Sequence, residues 1–344
     1  MSNDTGSSSN ETIVHDYPQV VAISSGLSAI GDAVIIISVL CSPSCRQVFT
    51  VRLIFFLAIA DFLGQMPLIG SYPVNSLTGT DGFWCSLQAA GNWFSALSSW
   101  LWTMMYAFAV HRCFASASIV PRQEQGSEAW ELGKYLELER YFHAICWGLP
   151  LVLVCLAAFS GQFGHGYAGG EKSTCGFIGP NWALAYESVL WIALLYNVYS
   201  FAAVNALIRA ALRTGTADMD PQARRELEAR VRLWPRFMLY VGSFIGSQAP
   251  CALRTIFDVA DAPASLFPLL NLLACALCPL HGFLNGLVYG CTTRRIRAIW
   301  LQQPACCSRE WCTEGRFTSD SRAPLVVEER ATEESMTRLS STVF

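Results

Sequence analysis

Seven long apolar runs, at 20–40, 53–72, 84–110, 141–159, 182–208, 233–259 and 266–290, alternate with polar segments along this chain. Each run holds close to the roughly 20 residues that cross a ~30 Å hydrocarbon core as a helix. The polar segments differ sharply in charge. Of the 23 Lys and Arg residues, 21 fall in every second segment. None precedes the first run; Arg46 and Arg52 follow it, and the next segment again has none. Arg112, Arg122, Lys134 and Arg140 share the following segment, and Lys172 stands alone in the one after. Seven lie from Arg209 to Arg236, Arg254 stands alone, and eight follow Cys291. Cytosolic loops carry the Lys/Arg excess, so the pattern predicts an N-terminus outside and a C-terminus in the cytosol. The expected fold is an all-α membrane protein, a seven-transmembrane helix bundle.

Composition fits that reading, with 53% hydrophobic and only 14% charged residues. Three parts are expected. They are an extracellular segment at 1–18, a seven-helix domain at 19–300 ending in a short cytosolic helix, and a cytosolic tail at 301–344. Residues 1–18 lack Lys and Arg, so no cleavable signal peptide is visible, and the first helix is expected to direct insertion. Asn3-Asp4-Thr5 and Asn10-Glu11-Thr12 are the only glycosylation tripeptides, and both lie in that segment. Asn3 and Asn10 are therefore candidate glycan carriers.

The 14 cysteines add a constraint. Cys85 and Cys175 are the only two in plainly extracellular positions, one opening the third run and one in the second outer loop. A bridge between them would pin that loop over the mouth of the bundle; two unrelated thiols are the alternative. Cys306, Cys307 and Cys312 follow a basic amphipathic stretch at 293–300. Palmitoylation of Cys306 and Cys307 would tie this stretch to membrane lipids, and free cytosolic thiols are the competing reading.

The inner ends of the runs carry a pattern. The third finishes Ala109-Val110-His111-Arg112-Cys113, and the seventh carries Asn285-Gly286-Leu287-Val288-Tyr289, with Asn and Tyr on one helix face. The second carries Asp61 near mid-membrane, where an acid is costly and faces the bundle interior or water. Together these look like the switch layer of a G-protein-coupled receptor.

The match sharpens in longer stretches. They are 52–61 in the second run, Ser99-Trp100-Leu101-Trp102-Thr103 with His111-Arg112 in the third, and 138–143 with Trp147-Gly148 entering the fourth. Leu195-Tyr196-Asn197, Ile245-Gly246-Ser247 and 285–290 extend it to the remaining runs. In these the chain resembles the cyclic-AMP-receptor-like family, which includes the slime-mould cyclic AMP receptors and a plant seven-helix receptor. It departs from rhodopsin-type receptors at His111, where they carry an acid, and at Gly286, where they carry proline.

The resemblance implies a two-state bundle whose sixth helix swings outward at its inner end to admit a heterotrimeric G protein. Arg112, Asp61, Asn285 and Tyr289 are the candidate switch residues, and Arg232 and Arg236 belong to the basic inner end of helix six. Pro235 and Pro250 each remove a backbone donor and are expected kink points. Residues 128–140 read as an amphipathic helix for the membrane or the G protein.

Candidate ligand contacts are the polar and aromatic residues of the outer halves. They are Asn92, Trp93, Lys172, Glu187, Trp191, Gln248, Arg254 and Asn271. Lys172 and Arg254 are the only outward basic groups, so an anionic ligand such as cyclic AMP would need one of them. Arg254 could instead snorkel to headgroups or pair with Asp258.

The tail mixes Ser/Thr with Glu and reads as disordered, offering sites for a receptor kinase and an arrestin-like partner. Thr342-Val343-Phe344 fits a PDZ ligand.

Competing classes lack their residues. A retinal-binding protein needs a lysine in the seventh helix, and the chain has only Lys134 and Lys172. A zinc hydrolase needs several His at one depth, and only His281 is deep. A transporter or channel could use Asp32, Asp61 and His281 as a midplane cluster. No catalytic motif is present, and no enzyme activity, cofactor, metal or nucleic-acid partner is expected. The expected function is a multi-pass plasma-membrane receptor for an extracellular small molecule. A transporter, or a receptor working without a G protein, is the alternative.

Overall fold

A computed structural model describes residues 17–46, 48–78, 83–119, 138–165, 175–213, 221–259 and 267–292. Helix α1 spans Tyr17–Cys41 and is followed by a single turn, Pro43–Arg46. Next come α2 (Phe49–Thr78), α3 (Phe83–Ile119) and α4 (Leu138–Phe159). Strands β1 (Phe163–His165) and β2 (Cys175–Phe177) form an antiparallel hairpin, and α5 (Pro180–Arg213) and α6 (Pro221–Val259) follow. The last elements are α7 (Phe267–Leu277) and α8 (His281–Thr292). Asn3, Asn10, Lys172, Cys306, Cys307, most of 128–140, the 293–300 stretch and the tail lie outside the described residues.

Among the described residues, four helices are long and apolar enough to cross a membrane: Gln19–Cys41, Phe49–Ile69, Leu138–Phe159 and Asn181–Ala211. The pair α7 and α8, bent by 48° at its break, makes a fifth. The remaining two are long but more polar, at 37 residues for α3 and 39 for α6. Their polarity has a local cause. Helix α3 packs against α2, α4, α5, α6 and the hairpin, and it buries Ser95, Ser98, Ser99 and Thr103 against protein. A helix enclosed by other helices can carry small polar residues that bond across the interface. Helix α6 opens on a charged stretch before its apolar part.

The seventh run, expected as one helix, is two. Pro279 has no N–H to give the carbonyl one turn back, and its ring crowds that turn, so the chain passes through Cys278-Pro279-Leu280 before α8 begins. By contrast, α6 runs continuously through both Pro235 and Pro250. In α4 a π-helical turn covers Ala144–Gly148, just ahead of Pro150. That is where a proline removes the donor for an upstream carbonyl.

Helices α1 and α8 approach very closely. A Cβ on Gly31 would lie 2.7 Å from the Phe283 Cα, and one on Gly286 would lie 3.0 Å from the Gly31 Cα. Gly282 and Gly286 follow the small-residue spacing that lets two backbones pack without side chains between them. A proline at 286 would drive its ring into α1.

Two apolar clusters fill the bundle. One lies toward the ends of the helices away from the hairpin and includes Leu53, Leu57, Trp102, Tyr106, Phe237 and Tyr289. The other lies under the hairpin and includes Leu97, Phe163, Phe177, Tyr186, Leu190 and Phe244. Between lipid-facing helices the association is driven by this close packing and by buried hydrogen bonds.

Candidate functional site

A layer of buried polar side chains separates the two clusters. Asp61 on α2, Ser99 on α3, Ser247 on α6 and Asp32, His281 and Asn285 from α1 and α8 are all at most 6% exposed. Asn285 is the hub. Its Nδ2 donates to Asp61 Oδ2 at 3.4 Å and to His281 Nε2 at 3.0 Å, while its Oδ1 faces the Ser243 hydroxyl at 3.2 Å. Ser99 completes the bonding of the Asp61 carboxyl.

These contacts suit an Nδ1–H tautomer of His281. With the Ser247 hydroxyl donating to the Phe244 carbonyl at 3.1 Å, its Oγ is left to accept from a His281 Nδ1–H at 3.2 Å. Nε2 is then the acceptor that Asn285 requires. His281 also lies 3.8 Å from Asp61 Oδ2. One chain of hydrogen bonds therefore ties α2 and α3 to α8 and to the middle of α6.

Below this layer sits a group of tyrosines. Tyr106 and Tyr240 meet edge to face with ring centres 5.4 Å apart, and Tyr289 is buried beside them. Arg236 approaches the Tyr106 and Tyr240 hydroxyls closely enough to act on them electrostatically. Further along α6, the Trp234 Nε1–H donates to Asn205 Oδ1 on α5 at 3.1 Å. At the same end Arg52 grips Glu139 with two bonds, 3.0 and 2.6 Å, joining the start of α2 to the start of α4.

The predicted switch residues thus divide. Asp61 and Asn285 touch, and Tyr289 follows one turn later in the same helix. Arg112 is exposed at the end of α3 and takes no part in the network. Arg236 joins the tyrosines, and the Arg232 side chain lies outside the described residues. Ser243, Ser247, Tyr106 and Tyr240 went unrecognised as site residues. Polar residues four apart within an apolar run, Ser243/Ser247 and His281/Asn285, were the signal that could have found the network.

At the other end, Cys85 and Cys175 are bonded, as the sequence allowed, with Cα atoms 5.2 Å apart. The bond anchors the hairpin onto α3. Phe177 stacks with Phe163 at 5.0 Å and packs on Trp93 at 4.9 Å and Tyr186 at 4.6 Å. Trp93 is therefore engaged in an aromatic plug beneath the hairpin. Asn92 and Trp191 are half-buried on α3 and α5. Glu187 bonds Thr255 and faces Arg254, joining α5 to α6. Gln248 meets the Cys278 carbonyl at 3.5 Å and its thiol at 3.4 Å, which joins α6 to the α7–α8 break. Asn271 lies half-buried on α7.

Comparisons with known proteins agree with one another. A family profile described as slime mold cyclic AMP receptor matches residues 10–208, more than half of the chain. "G-protein coupled receptor 1" of Arabidopsis thaliana is 27% identical over 300 residues, covering 83% of this chain and 81% of that one. "Cyclic AMP receptor-like protein A" of Dictyostelium discoideum is 27% identical over 279 residues, covering 80% of this chain and 64% of its own. "G-protein coupled receptor 157" of Homo sapiens is 25% identical over 294 residues, covering 81% of each chain.

Proposed function

The chain belongs to the slime mold cyclic AMP receptor family, and from that premise we propose that it senses an extracellular small molecule and activates a heterotrimeric G protein. It works at the plasma membrane, with the hairpin end outside and the basic inner end of α6 in the cytosol. The observation that carries this reading is the Asn285-centred network, which joins α6 to α2 and α8 through bonds that can be exchanged. Outward movement of the inner end of α6 would break the Trp234–Asn205 bond and draw Arg236 off the tyrosines. That opens a cleft whose wall is already basic. A ligand drives the change only by the difference in its affinity for the two arrangements.

The ligand site lies among α5, α6 and α7, which carry Glu187, the Arg254 it faces, Gln248 and Asn271. The relatives' names point to cyclic AMP, and Arg254 supplies a partner for a phosphate once that group displaces Glu187. The test is nucleotide exchange on purified Gα subunits by the receptor in lipid nanodiscs, with and without cyclic AMP. Exchange by the wild type, and its alteration in Asn285→Ala and Arg112→Ala, supports the reading. Absence of exchange on every Gα in both conditions counts against G-protein coupling.

A transporter has one observation in its favour, the broken α7–α8 span beside two buried acids. Uptake of labelled cyclic AMP into proteoliposomes would establish it.

A further inference from the structure

We propose that Cys251 on α6 and Cys278 at the α7–α8 break form an oxidisable thiol pair, which a peroxide closes into a second disulfide. The two thiols already touch. The Cys278 thiol donates to Gln248 Oε1 at 3.4 Å, and the Gln248 side-chain amide donates back to the Cys278 carbonyl at 3.5 Å. This two-point grip aims the Cys278 side chain at α6 and leaves its sulfur to bond with the Cys251 thiol. Cys251 also faces the Ala274 carbonyl at 3.9 Å, the same oxygen that takes the Cys278 N–H at 3.1 Å. Gln248 and Cys251 are three residues apart, and Ala274 and Cys278 four, so each pair shares one helix face. Ala274 is buried at this crossing, where a small side chain lets two helices approach.

The setting favours closure. A disulfide needs converging side chains on backbones that can settle into its geometry. Pro279 gives no N–H to the Cys275 carbonyl, so Cys278 lies where the regular helical ladder is interrupted. Both cysteines are half-buried, which leaves a path for a small neutral oxidant. Cys251 stands one turn beyond Ser247 toward the hairpin. On the proposed topology that is the outward half of the bundle, away from the reducing cytosol.

Hydrogen peroxide completes the bond in two steps. The sulfur of one thiol attacks a peroxide oxygen, the O–O bond breaks, and the thiol proton leaves with the departing hydroxide as water. A sulfenic acid remains. The second sulfur attacks the first, the S–O bond breaks, and the second thiol proton leaves with that hydroxide as another water. Two thiols lose two electrons in all, and one peroxide becomes two waters.

Two other uses of adjoining thiols can be weighed. A soft metal would draw in a third ligand, with Cys275 near at hand. Among the described residues no three His, Cys, Asp or Glu side chains converge to hold one. Alternatively, cysteines simply fill helix interfaces as small apolar groups. Packing alone asks nothing of the thiol-to-thiol contact and predicts no selective pairing.

The test treats the full chain in nanodiscs with stoichiometric hydrogen peroxide, blocks remaining thiols by alkylation, and maps tryptic peptides without reduction. Cleavage after Arg236, Arg254 and Arg294 puts Cys251 alone in one peptide and Cys275, Cys278 and Cys291 in the next. The proposal predicts that these two peptides become linked, with the loss of two hydrogens, and that Tm rises by about 3 °C or more. Cys275→Ser should keep the link, whereas Cys278→Ser should lose both the link and the rise. Absence of the link where other thiols in the chain are oxidised overturns the proposal. So does a link that survives in Cys278→Ser, or a link that forms with no rise in Tm. The wild-type map decides even if a variant does not fold. Mass and stability are the readouts, so the result stands apart from G-protein coupling.

Discussion

The two ends of the bundle are held together by different chemistry. Under the hairpin, a covalent bond and interlocked rings of Trp93, Phe163, Phe177 and Tyr186 join α3, the hairpin and α5. Toward the other end, α6 packs Phe237 and Tyr240 on Tyr106 without a covalent tie among the described residues, and its cross-helix polar ties are single contacts at Ser243, Trp234 and His281. Each such bond contributes about 0.5–1.5 kcal/mol net and can be traded for another. A disulfide cannot be traded in that way. On the proposed mechanism, the contrast puts the fixed frame at one end and the moving part at the other.

The contrast predicts a gradient of effects. Replacing Cys85 or Cys175 with Ser should cost most, about 2–5 kcal/mol, seen as a fall in Tm and in correctly folded yield. Gly282→Val comes next. Its side chain would enter the space of the Asp32 carboxyl, and about 1–3 kcal/mol should be lost in thermal unfolding. Asn285→Ala leaves Asp61 and His281 short of a partner and should cost about 1–3 kcal/mol, with altered basal nucleotide exchange. The smallest effect is expected for Trp234→Phe, which keeps the ring and loses the bond to Asn205. Basal exchange should rise roughly two- to tenfold with Tm nearly unchanged, matching about 0.5–1.5 kcal/mol. If Trp234→Phe lowers Tm as much as the cysteine variants do, the division into frame and moving part fails.

Much of the frame was legible in the sequence because its signals are local. A run of about 20 apolar residues marks a span, and charge asymmetry marks a side of the membrane. Two cysteines at one end of the bundle leave few pairings. Asp61 and Asn285 stood out because each is polar within an apolar run. Their partners were harder to see. Ser243 and Ser247 are small residues common at any helix interface, and only the rotation of α6 decides that they face α8. Asp32 could be placed near mid-membrane from its position, whereas its pairing with Gly282 depends on how closely two backbones approach. The break at Pro279 was missed because hydropathy runs unbroken through it, while Pro235 and Pro250 drew notice in a helix that stays continuous.

The π turn at Ala144–Gly148 bears on how α4 is compared with its relatives. It takes up one extra residue, so every side chain beyond Gly148 is rotated by about 100° from where an uninterrupted helix would set it. A gapless alignment to a relative with a regular fourth helix would therefore assign lipid-facing positions such as Leu151 and Val152 to the wrong face. Chimeras that splice α4 beyond residue 148 need a one-residue deletion to restore the faces.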